Sequence, residues 1–84
     1  MRKILIIEDN KEIALQMEKY LVKNGYEVEL ASSYYEADYK MNVDTDVAIL
    51  DINLPDKDGQ HLIERLKDKD IRVIVTTEKM MKTL

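Results

Sequence analysis

Two short apolar runs that end in carboxylates constrain this chain more than any other feature. Lys3-Ile4-Leu5-Ile6-Ile7 runs into Glu8-Asp9, and Asp46-Val47-Ala48-Ile49-Leu50 runs into Asp51. Each has the length and the β-branched content of a buried strand. Laid side by side and parallel, the two strands bring Glu8, Asp9 and Asp51 to one edge of a sheet. Three carboxylates that close do not all stay ionised without a cation between them. The pattern points to a divalent-metal site in a parallel α/β sheet, with one acid free to react.

The segments between and after these runs supply the rest of such a fold. Asn10 can cap a helix, with Lys11 and Glu12 in its first turn. Ile13, Leu15, Met17, Tyr20, Leu21 and Val22 follow at mostly helical spacing, and Asn24-Gly25 is a stop signal. Tyr26-Glu27-Val28-Glu29-Leu30 alternates with period two, as a half-exposed edge strand does. Ser32 or Ser33 caps a second helix that runs to about Met41. A loop dense in turn formers, Ile52 to Gly59, follows Asp51. The pattern then predicts a third helix near Gln60–Lys69 and a fourth strand over Ile71–Thr76, with Glu78–Leu84 able to begin a helix. The order β-α-β-α-β-α-β argues for a doubly wound parallel sheet with helices on both faces. Ligands in such sheets bind outside the carboxyl ends of the strands, where these three acids stand.

Composition narrows the function classes. The 84 residues suffice for one small domain, and a net charge of −4 argues against this chain gripping a nucleic-acid backbone. There are no cysteines, so disulfides and thiolate metal sites are excluded. No stretch approaches the roughly 18 consecutive apolar residues of a membrane span. The start Met1-Arg2-Lys3 leads into an apolar run too short for a signal peptide. A cytoplasmic home is the simplest expectation. The cluster Asp51, Asn53, Asp56 and Asp58 fails as a calcium loop, because aligning Gly59 puts Leu54 first and Arg65 last. The lone His61 reads as a surface residue, and Tyr34, Tyr35 and Tyr39 read as helix packing and surface. Arg65, Lys67 and Lys69 alternate with acids and make no basic patch.

At this level of detail the chain resembles the receiver domain of two-component response regulators. Lys3-Ile4-Leu5-Ile6-Ile7-Glu8-Asp9-Asn10 resembles that family's first strand and acidic pair, and Val73-Ile74-Val75-Thr76-Thr77 its fourth strand. The most specific match is Ile49-Leu50-Asp51-Ile52-Asn53-Leu54-Pro55-Asp56-Lys57-Asp58-Gly59, the phosphoacceptor strand and its loop. The resemblance implies a flavodoxin-like receiver fold and Asp51 as the nucleophile that takes a phosphoryl group from a sensor histidine kinase. It implies Mg²⁺ held by Asp9 and Asp51 directly, by Glu8 through water and by the backbone carbonyl of Asn53. Thr77 would donate its hydroxyl to the phosphoryl group, with Thr76 the competing choice. The output would be a switch of protein interactions, controlling transcription through an effector domain that this chain does not contain.

Two departures shape the expectations. The family pattern has five strands and five helices over roughly 110–130 residues, an ordinary domain size. Residues 1–84 therefore read as a receiver domain incomplete at its C-terminus, stopping after the fourth strand. The lysine of the missing fifth strand has no substitute in Lys79 or Lys82. Loss of that strand would leave Val73, Ile74 and Val75 as an open edge, which predicts self-association through the fourth strand and C-terminal segment. The second departure is Glu78, where the family has a small residue; an added carboxylate there would repel an incoming phosphodonor. One rival is a protein-binding pseudo-receiver that has lost phosphorylation. A hydrolase of the haloacid dehalogenase type is the other, and it wants an Asp where Asn53 stands.

Overall fold

The computed structural model describes residues 2–41, 44–51, 59–76 and 81–83. Its elements are β1 (Lys3–Ile7), α1 (Lys11–Lys23), β2 (Glu27–Ala31), α2 (Tyr34–Lys40), β3 (Val47–Asp51), α3 (Gly59–Asp68), β4 (Arg72–Thr76) and β5 (Met81–Thr83). They form one sheet in the order β2-β1-β3-β4-β5. The first four strands are parallel, and β5 returns antiparallel along β4.

Alternation along the central strands sorts the core into two layers. Leu5, Ile7, Ala48, Leu50, Val73 and Val75 face α2 and α3, packing with Ala37, Leu62, Ile63 and Leu66. Ile4, Ile6 and Ile49 face the other way, against Met17 and Leu21 of α1. The doubly wound expectation holds. Leu5, Ile6, Ile7, Leu50, Leu62, Leu66 and Val73 are fully buried, each worth about 1.5–3 kcal/mol of transfer free energy. Among the described residues α1 alone covers its face, and much of its apolar stripe stays in water. Tyr20 is 67% exposed, Val22 54%, and Ile13 and Leu15 44% each, although their spacing reads as a core face. A groove of about 350 Å³, lined by Gln16, Met17, Tyr20, Leu21 and Ile49, runs beside the helix.

Helix ends follow local chemistry. The Asn10 side chain accepts the Ile13 N–H at 3.2 Å, and the Ser33 hydroxyl accepts that of Glu36 at 3.2 Å. Both α1 and α3 close in the same six-residue loop. Tyr26 N–H donates to the Leu21 carbonyl and Gly25 N–H to that of Val22; Ile71 N–H and Asp70 N–H repeat this with Leu66 and Lys67. The left-handed residue of the first loop is Gly25 (φ 92°), and of the second Asp70 (φ 60°).

The structure corrects the reading of the C-terminal segment. Met81–Thr83 is a strand, where a helix start was expected. It pairs Ile74 with Thr83, Val75 with Lys82 and Thr76 with Met81. The β4 edge is thus taken, and the open edge from which self-association was expected does not exist along these residues. The physical cause is the row of backbone donors and acceptors on β4, which the returning chain satisfies.

Candidate metal and acceptor site

The two carboxylate-tipped strands lie side by side. β1 and β3 pair in parallel with Ile7 opposite Leu50, so Glu8 and Asp9 continue past the same sheet edge that Asp51 ends. Glu8, Asp9 and Asp51 each present a carboxylate oxygen, and these oxygens lie within 4.8 Å of one another. Glu8 and Asp51 are half-buried and Asp9 is exposed. Asp51 is the last residue of β3, so its backbone is set by the sheet.

Local structure fixes the Glu8 end. Its N–H donates to the Ala31 carbonyl of β2 at 2.9 Å, and one carboxylate oxygen accepts the Asn10 N–H at 3.1 Å. Asn10 is also the α1 cap, so helix start and acid pair are built from one turn. Burial pushes the Glu8 carboxyl up to about 7, with the Asn10 N–H opposing and the neighbouring Asp51 and Asp9 adding to the rise. A cavity of about 280 Å³ adjoins Glu8 and Asp9, with Lys11, Ser32 and Glu36 in its wall.

The donor chemistry fits a small hard cation. All three groups offer carboxylate oxygens, and Mg²⁺ takes one or two carboxylates while keeping positions for water and phosphate oxygens. A cation placed among them would also counter the burial and the neighbouring carboxylates that raise Glu8.

The other sequence-derived site residues divide clearly. Asn53 and Thr77 lie outside the described residues, as do Asp56, Asp58 and Glu78. Thr76, the rival of Thr77, ends β4 directly opposite Asp51, and its hydroxyl donates to the Leu50 carbonyl at 3.3 Å. His61 is exposed on α3, and Tyr35 and Tyr39 are 67% and 89% exposed on α2. Arg65 pairs with Asp38 at 2.6 Å, a contact between α3 and α2 away from the acids. Sequence reading gave the crowding of the three carboxylates but not that Glu8 is the one raised, and it missed the Thr76 tie. The only available signal for the first was an acid directly after an apolar run. The second needs the strand register.

Comparison with known proteins agrees with this geometry. The family model described as response regulator receiver domain matches residues 4–84. The virulence transcriptional regulatory protein PhoP of Salmonella typhimurium is 37% identical over 76 residues, which are 89% of this chain and 34% of that protein. The transcriptional regulatory protein TctD of the same species is 37% identical over 68 residues, 80% of this chain and 30% of its own length. The chain thus spans about a third of the curated relatives it matches. Among solved structures, the non-phosphorylated HemR receiver domain from Leptospira biflexa superposes with a TM-score of 0.88 at 28% identity, covering 94% of this chain and 66% of that one. The response regulator TrrA from Thermotoga maritima, in complex with Mg²⁺-BeF, gives 0.77 at 30% identity, over 89% and 68% of the two chains.

Proposed function

The chain belongs to the response regulator receiver domain family, and on that premise we propose that Asp51 is its phosphoacceptor, served by a sensor histidine kinase. One Asp51 carboxylate oxygen attacks the phosphorus of the kinase phosphohistidine. The new O–P bond forms as the P–N bond breaks, and the departing imidazole nitrogen keeps the electron pair and takes a proton from water. The product is an aspartyl phosphate that stays on the chain, so the domain is a signalling module rather than an enzyme with conventional turnover.

The observation that carries this reading is the convergence of Glu8, Asp9 and Asp51 within 4.8 Å at the carboxyl edge of a parallel sheet. In this reading Asp9, Asp51 and the Asn53 carbonyl would hold Mg²⁺ directly and Glu8 through water. When bound, it would supply positive charge against the repulsion between carboxylate and phosphoryl oxygens. The Mg²⁺-BeF complex of TrrA supports that assignment by similarity. Thr77 gives its hydroxyl to the phosphoryl group. Residues 1–84 act as one receiver unit in the cytoplasm; among the described residues no helix is long and apolar enough to cross a membrane. The names of the PhoP and TctD relatives favour an output in transcription, delivered by an effector domain.

Intact mass after incubation with acetyl phosphate, with and without Mg²⁺, tests the reading. A Mg²⁺-dependent phosphoryl adduct on the parent that is absent from Asp51→Asn is the expected result. A folded chain that takes no adduct would instead be a phosphorylation-independent protein-binding module.

A further inference from the structure

The two neighbours of β3 hold its Asp51 end unequally. The register with β1 runs to Ile7 opposite Leu50, whereas the register with β4 runs one rung further, to Asp51 opposite Thr76. Thr76 is itself clamped from its far side by Met81 of β5. The last rung under Asp51 therefore depends on β4, and strand ends are where ladders open first.

Thr76 adds a bond that the ladder does not require. Its hydroxyl donates to the carbonyl of Leu50, the residue immediately before Asp51, at 3.3 Å. By strand alternation Thr76 shares the α1 face of the sheet with Asp51, while Val75 and Leu50 pack on the other face. Valine would fill the same half-buried position with the same β-branched shape. Packing alone does not call for a hydroxyl there.

We propose that Thr76 is a positioning residue for Asp51. It ties the end of β4 to the peptide that carries the acid, and so holds the Asp51 carboxylate against Glu8 and Asp9. This rests on the phosphoacceptor reading above, and it gives Thr76 a role separate from that of Thr77. One neutral hydrogen bond, if expressed fully at the strand end, corresponds to about a threefold to tenfold effect.

Parent, Thr76→Val and Thr76→Ser are compared in two measurements. Amide hydrogen exchange by NMR reads the strand end without any phosphorylation. Thr76→Val is expected to lose about threefold to tenfold protection at Asp51, with Ile4–Ile6 unchanged and Thr76→Ser close to parent. Loading from acetyl phosphate is expected to slow by a similar factor at saturating donor in Thr76→Val. The half-saturating donor concentration should stay fixed, and Thr76→Ser should recover the rate. Equal protection in Thr76→Val and parent overturns the inference, as does a Thr76→Ser variant no better than Thr76→Val. A loss of protection spread evenly over the sheet also overturns it, since that is what mere destabilisation does. If the parent takes no adduct, the phosphoacceptor reading fails, while the exchange data still decide whether Thr76 holds the Asp51 end.

Discussion

The Glu8 carboxylate, from the end of β1, stands against that of Asp51, from the end of β3, and burial there pushes Glu8 up to about 7. Two elements far apart in sequence thus create a proton site out of the same oxygens that the proposed function assigns to a cation.

Cation binding should consequently release a proton. Below about pH 7 Glu8 is largely protonated and must ionise for the cluster to attract Mg²⁺ at full charge. The apparent Mg²⁺ affinity is expected to rise up to tenfold per pH unit below 7 and to level off above it. Calorimetric titration at several pH values would show this. In Glu8→Gln the rise should vanish across that window, and an undiminished rise would assign it to another group.

Without a cation, the same residue should make stability fall as pH rises. The folded-state value lies above the ordinary 4.5, so the folded chain binds the proton more tightly than the unfolded chain. The resulting stability is present below about 4.5 and lost as pH passes through about 7. Glu8 is only half-buried, so solvent screening holds the effect to about 1 kcal/mol. Urea unfolding in chelator at pH 5 and pH 8, parent against Glu8→Gln, isolates it; the difference between the two chains should grow toward pH 8, in favour of the variant.

Asp70 offers a stabilising change. It occupies the left-handed position that closes α3, at φ 60°, where Gly25 serves the same loop after α1. The L side chain costs roughly 1 kcal/mol in that conformation. Asp70→Gly is expected to recover part of it, raising the urea midpoint without changing the slope.

Glu78 follows the proposed Thr77 and, in that reading, adds a carboxylate beside the incoming phosphodonor. Glu78→Ala is expected to accelerate loading from acetyl phosphate several-fold, with the larger gain at low salt. Equal rates in the two chains, measured by intact mass over time, would remove Glu78 from the account of the site.

Much of this architecture was legible because its causes are local. Asn10, Ser33 and Gly25 act on backbone groups within six residues of themselves, and the apolar runs of β1 and β3 declare buried parallel strands by length and branching. The convergence of the acids at the two strand ends was legible too, since parallel pairing follows from helices placed between successive strands.

What the tertiary structure decided are matters of neighbours. Met81 and Lys82 favour a helix in isolation, yet Met81–Thr83 is a strand, because the β4 edge offers unpaired backbone groups beside it. Tyr20 and Ile13 sit on an apolar helical stripe, yet face water, because among the described residues α1 alone covers its side of the sheet. The raised Glu8 carboxyl and the Thr76–Leu50 bond depend on strand register and on how far each carboxylate is withdrawn from solvent. Propensity and periodicity act along the chain and can be read from it. Desolvation and cross-strand contacts exist only once the strands are side by side.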